Sequence, residues 1–262
     1  MTLPRKIIES ELGLSSWCIL SGYRGSIAHG TYEQNSKPGS IDDKDVIAVC
    51  VPSLEFYFGL RQYGSRGTKE IAIDPWDIVI YEARKLIHLL AKGNPNVLML
   101  LWLPENLYLR VEPAGQLLID NRQLFTARST FYPFMGYARS QLIKMERGAF
   151  KGYMGEKRRR LVERHGYDTK NASHLIRILR TGIEFLIDGR MNVQRHDAPE
   201  LLAIKHGEWS LERVKLEADR LFVLAEEAHL RSPLPAEPDR STINELAIEV
   251  VKTAVHQPKE EQ

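Results

Sequence analysis

Three short apolar runs in the first half of the chain limit what it can fold into: SWCILSGY (16–23), DVIAVCVP (45–52) and WDIVIYE (76–82). Each has the length of a buried strand. The first closes on Gly22-Tyr23, and the second is β-branched and stopped by proline. The third feeds EARKLIHLLAKG, where Leu86, Leu89 and Leu90 fall at helical spacing before Gly93. NPNVLMLLWLP then continues as a buried apolar segment after a turn. From Ser129 onward the pattern is helical throughout. FMGYARSQLIKMERG and GEKRRRLVERHG are followed by DTKNASHLIRILRTGIEFLIDG, which opens on a capping aspartate, Asp168. SLERVKLEADRLFVLAEEAHL places Val214, Leu221 and Leu224 on one stripe, and a proline-rich linker (232–241) precedes a last amphipathic helix. The expectation is a strand-and-helix unit over residues 1–128 and a helical unit over residues 129–262.

With 262 residues, 43% hydrophobic and 27% charged, the chain can bury a sizeable core without disulfide or metal staples. Cys18 and Cys50 sit inside apolar runs without C-x-x-C spacing, so they read as buried, reduced thiols. No apolar stretch follows the first positive charges as in a signal peptide, and no run approaches the ~18 residues of a membrane span, which points to a cytoplasmic protein. The net charge of +2 excludes little, but its distribution is uneven. Between Lys151 and Arg195 eleven Lys or Arg face five acids, a local charge of +6. That excess suits a nucleic acid or a triphosphate, and equally a solvated helix face.

The chemistry gathers in RGSIAHGTYEQNSKPGSIDDKDVIAV (24–49). Residues two apart on a strand share a face, so Asp43 and Asp45 project together, Lys44 opposes them, and Asp42, out of phase, belongs to the turn. Two adjacent carboxylates repel unless a cation lies between them, and a hard divalent metal takes such oxygen ligands. A solvated, Asp-rich loop would have the same composition. Gly25-Ser26, directly after a strand, can bring backbone N–H groups close to a phosphate. Asp77, at the start of a neighbouring strand, could complete a set of three carboxylates. Asp74 competes for that place, although Asp-Pro reads as a turn.

Strand, Gly-Ser, spacer, D-x-D on a second strand and Asp on a third: this order resembles the DNA polymerase β nucleotidyltransferase superfamily. Its signature is hydrophobic-G-[GS], a spacer, then D-h-[DE]-h. Here sixteen residues separate Ser26 from Asp43, a long spacer containing the polar EQNSKPGS, and Lys44 stands where an apolar residue is usual. Longer strings resemble one branch, the RNA-repair-pathway DNA polymerase β family (RlaP) of bacteria and their phages. They are RGSIAHG, SIDDKDVIAV, FYFGL, YEARKLIHLLAKGNPNVLMLLW, GYMGEKRRRLVERHGYDTKNASHLIRILRTGIEFL and IKHGEWSLERV, together spanning Trp17 to Val214.

The resemblance implies an α+β chain: a mixed sheet with flanking helices, the nucleotidyltransferase fold, before the helical half. It implies transfer of a nucleoside monophosphate from an NTP to an acceptor hydroxyl with release of pyrophosphate. The acceptor would be an RNA 3′ end such as that of tRNA, the alternatives being a protein side chain or a small molecule. A non-catalytic nucleotide or RNA sensor is a further alternative. Asp43, Asp45 and Asp77 would hold two Mg²⁺ or Mn²⁺ ions, Asp77 lying nearest in role to a general base. Gly25 and Ser26 would cradle the β- and γ-phosphates, with Arg24 beside them. Lys170, His174 and Arg177 recur at i, i+4 and i+7, so one helix face could grip phosphates while Leu175, Leu179, Ile183 and Leu186 face the core. His29 could shape the phosphate loop or be a structural histidine bonded to backbone. The four tryptophans read as core, and Arg84 and Lys85 as surface or ion-paired. Oligomeric state and preferred NTP are left open.

Overall fold

The computed structural model of the chain describes residues 17–33, 42–73, 75–147 and 156–256. Asp74, the EQNSKPGS segment from Gln34 onward, Lys151 and the side chains of Lys157 and Arg158 lie outside the described residues.

The architecture is α+β, a five-stranded mixed sheet followed by helices. The strands are β1 (Cys18–Tyr23), β2 (Lys44–Cys50), β3 (Thr68–Ile73), β4 (Trp76–Glu82) and β5 (Tyr108–Val111), in the order β3-β4-β2-β1-β5. The three apolar runs become the three central strands. Their residues are buried on both faces: Ile47 and Val49 join the main core, while Val46, Ala48 and Cys50 pack with Ile78 and Ile80 on the opposite side. Trp76 and Trp17 border that second cluster. Cys18 and Cys50 are Cα partners across β1 and β2, both buried and unbridged.

Between the strands lie α1 (Gly25–His29), α2 (Glu55–Phe58), α3 (Ala83–Ala91) and α4 (Pro95–Leu98), and α5 (Pro113–Asp120) follows the last of them. Arg84 pairs with Glu82 at 3.3 Å and stacks on Tyr57, as its reading as ion-paired expects. The helical half comprises α6 (Phe131–Arg147), α7 (Glu156–His165), α8 (Thr169–Asp188), α9 (Ala198–Lys205), α10 (Leu211–Arg231) and α11 (Arg240–His256). α8 is its axis and packs on α6, α9 and α10. It begins where Asp168 accepts a hydrogen bond from the Asn171 N–H at 2.9 Å and ends at Gly189, whose φ of 64° is left-handed. α11 returns across the chain to pack on α3 and α5. One hydrophobic cluster therefore runs from Ile19 in β1 to Val250 in α11. No helix among the described residues is long and apolar enough to cross a membrane.

The topology explains why the motifs meet. β1 runs antiparallel to β2, so its last residue, Tyr23, sits opposite Val46 and Gly25-Ser26 emerges beside the first residues of β2. β2 and β4 are parallel and in register, with Asp45 opposite Asp77. One end of the sheet thus receives the Gly-Ser turn and both carboxylates.

Candidate active site

A cleft of about 290 Å³ opens between this end of the sheet and the N-terminal half of α8. It is lined by Arg24, Gly25, Ser26, His29, Asp43, Asp45, Asp77, Lys170, His174 and Arg177 together. These ten sequence-derived site residues therefore meet in one place, across more than 150 positions of chain. Asp45 is in phase with Ile47 and Val49, the face turned toward the helices, as the strand alternation demands. Lys44 points to the other face, where its ammonium lies 4.7 Å from the centre of the Trp76 ring. An aromatic partner thus accommodates a lysine where the superfamily pattern has an apolar residue.

The carboxylates are joined by an arginine. Arg24 donates to Asp77 Oδ2 at 3.0 Å and lies 3.7 Å from Asp45 Oδ1. Its backbone N–H donates to the Asp45 carbonyl at 3.0 Å, which pins the turn to β2. Gly25 follows with a φ of 62°, and a Cβ there would collide with Asp45 Oδ2. Both the conformation and the close approach require glycine. Burial pushes the Asp45 carboxyl up to about 6, against the pull of Arg24 and with added repulsion from Asp77 and Asp43. Among the described residues no three Asp, Glu, His or Cys side chains already converge as a metal cage. The donor set does fit a hard divalent ion. It offers oxygen alone, and Asp45 and Asp77 share a single arginine between them.

The opposite wall is cationic. Lys170, His174 and Arg177 share the face of α8 that the helical spacing predicts, while Leu175, Leu179 and Leu186 are buried behind them. Arg177 donates to His174 Nδ1 at 3.5 Å and forms no ion pair among the described residues. Burial lowers its pKa to about 10, still charged near neutrality. His29 is buried, and its Nδ1 donates to the Val193 carbonyl at 3.1 Å. Burial, with Arg177 and His174 nearby, holds its pKa well below 6.5, so the ring is neutral with Nε2 left as an acceptor.

Other basic residues of the same stretch have different roles. Arg159, Arg160 and Arg164 of α7 are exposed and do not line the cleft. Arg180 is engaged by Asp197, Glu200 and Glu217, and buried Arg195 by Glu184 and Asp197. Two of the eleven cations are therefore internal fasteners rather than binding surface.

Two residues of the cleft escape the sequence reading. Asp42 precedes β2 as a turn residue should, yet it is 1% exposed. Its Oδ2 accepts from the Glu33 N–H and from Lys205 Nζ, itself buried at the end of α9. Lys205 stands four positions after buried Leu201, on the inner face of a short helix. A lysine at a core phase was the available signal.

The model of a DNA polymerase beta-type family matches residues 17–249, nearly the whole described chain. The chain belongs to the RNA repair pathway DNA polymerase beta family (RlaP). No curated protein and no solved structure matches it.

Proposed function

We propose that the chain is a metal-dependent nucleotidyltransferase that moves a nucleoside monophosphate from an NTP to an RNA 3′ hydroxyl and releases pyrophosphate. The observation that carries this reading is the in-register pair of Asp45 and Asp77, set beside Gly25-Ser26 and facing Lys170 and Arg177 across one cleft. Membership of an RNA-repair family supports RNA as the acceptor. So do the exposed arginines of α7.

In this reading Asp43, Asp45 and Asp77 hold a pair of Mg²⁺ or Mn²⁺ ions. Bound there, the ions would lower the pKa of the attacking hydroxyl and stabilise the departing pyrophosphate. The chain's own residues orient the reactants. Gly25 and Ser26 offer a close backbone approach to the polyphosphate, and Lys170 and Arg177 supply charge along it. Neutral His29 holds the phosphate turn to the helical half through the Val193 carbonyl. Asp77, 45% exposed at the mouth, is the carboxylate best placed to meet an acceptor hydroxyl.

The test is transfer itself. Each α-labelled NTP is incubated with Mg²⁺ or Mn²⁺ and total RNA, using Asp43→Asn and Asp45→Asn as comparators. Label should enter RNA and fall at least about 100-fold in both variants while they remain folded. Label on protein instead would replace the acceptor, and undiminished turnover by the variants would remove the proposed site.

A further inference from the structure

We infer that the nucleobase of the NTP is held on an uncharged wall of the cleft, where Tyr137 stacks on its face and Asn96 meets its polar edge. The base so placed is that of the NTP, so this rests on the proposed function.

The lining of the cleft is divided by charge. Its carboxylates come from β2, from β4 and from the two residues before β2. Another part of the lining is neutral: Pro95 and Asn96 of α4, Met99 just after it, Tyr137 of α6 and Ile178 of α8. Phosphates and metal ions take charged or oxygen-rich partners, whereas this wall offers an aromatic ring, a thioether, aliphatic carbon and one amide. Such a wall suits a planar, largely apolar ligand with a few polar positions on its edge, and the part of an NTP that answers to this is the base.

Helix packing sets the position of the ring. Gly182 of α8 lies so close to α6 that a Cβ there would come within 2.9 Å of Phe134 Cδ1. Tyr137, three residues on along α6, and Ile178, four residues back along α8, then line the cleft together. The Tyr137 ring packs partly on the core, and no other aromatic ring stacks on it among the described residues. It is also close enough to Arg177 to influence that group's ionisation. The ring therefore stands beside a cation assigned to the polyphosphate, where a base joined to that phosphate through one sugar can reach it. Asn96 is exposed, and its backbone N–H donates to Asn94 Oδ1 at 3.0 Å. Its side-chain amide has no hydrogen-bond partner among the described residues. That amide offers one acceptor and a donor group side by side, the pairing that a base edge matches.

The experiment is calorimetric titration of the full chain, in Mg²⁺, with a non-hydrolysable NTP analogue of each base, with inorganic tripolyphosphate and with an RNA oligonucleotide. Melting temperature is recorded for each variant. The wild-type chain should bind its best analogue about tenfold or more tighter than tripolyphosphate, the scale of one base stacked on an aromatic ring. Tyr137→Leu keeps apolar bulk but removes the aromatic face, so it should erase that preference and leave tripolyphosphate affinity unchanged. Tyr137→Phe should restore the preference. Asn96→Ala should narrow the spread of affinities among the four analogues, again without moving tripolyphosphate. If Tyr137→Leu does not fold, the exposed Asn96→Ala must still lower analogue binding alone. The inference is overturned by a wild-type chain that binds analogue and tripolyphosphate equally, or by unchanged analogue affinity in Tyr137→Leu. An equal loss for both probes in that variant overturns it too, because Tyr137 would then act through Arg177. So does an unaltered spread in Asn96→Ala, or a loss confined to the oligonucleotide, which would give the wall to the acceptor. A wild-type chain that binds neither analogue nor tripolyphosphate overturns the functional reading as well, so the two failures are distinct.

Discussion

Asp45 is held by two demands that conflict. Its strand register places it beside Asp77 and under the Gly25 backbone, where burial disfavours charge, yet its proposed work needs an ionised oxygen. Its carboxyl titrates near 3.8 in an unfolded chain and at about 6 in the fold. The folded state therefore binds this proton more tightly. The stability this contributes is complete below about pH 4 and is lost as pH rises through about 6. Above that, the fold carries a cost on the order of 2–3 kcal/mol for ionising the group. In buffer free of divalent ions, Asp45→Asn should raise the melting temperature at about pH 7.5 and change it little at about pH 4. A variant that melts lower at the higher pH would show that Arg24 compensates the charge fully. The conflict between Asp43, Asp45 and a strand that is otherwise apolar was readable in the sequence, because period-two alternation is local. The partnership of Asp42 with Lys205 was not, since it joins residues 163 positions apart.

At the level of elements, α8 sets the cationic wall, and its N-terminus fixes where that wall begins. Asp168 is buried and takes hydrogen bonds from both the backbone N–H and the side-chain Nδ2 of Asn171, each at 2.9 Å. Lys170 lies in the first turn beyond it. Asp168→Ala should cost about 1–2 kcal/mol of stability, read by thermal or denaturant unfolding. It should also weaken NTP binding more than it changes turnover, because Lys170 loses its anchor. This helix was legible end to end, with Asp168 and Gly189 as its stops. β3 and β5 were not. TKEIAI has no fully buried residue and YLRV has four residues, both on sheet edges where one side lacks a partner strand and the apolar signal is weak. Central strands announce themselves through burial on both faces, and edge strands do not.

At the scale of the whole molecule, the division suggested by composition is bridged by packing. α11 buries Ile243, Leu246 and Val250, and it lies on α3 and α5 of the first half. Leu246→Ala should cost about 2–5 kcal/mol. Circular dichroism and tryptophan fluorescence should then report one transition, moved downward as a unit. Two separated transitions would mean that the halves unfold independently.

The bridge that Arg24 makes between Asp45 and Asp77 has a practical corollary for handling the protein. A cluster of acids with its counter-charge built into the chain does not wait for a metal before it can fold. Dialysis against EDTA should therefore silence nucleotide transfer yet leave a cooperative melt, unlike small metal-nucleated domains, which a chelator unfolds. Adding Mg²⁺ back should return activity at once, without a refolding lag, and a slow recovery would show that the ion shapes the fold as well as the chemistry.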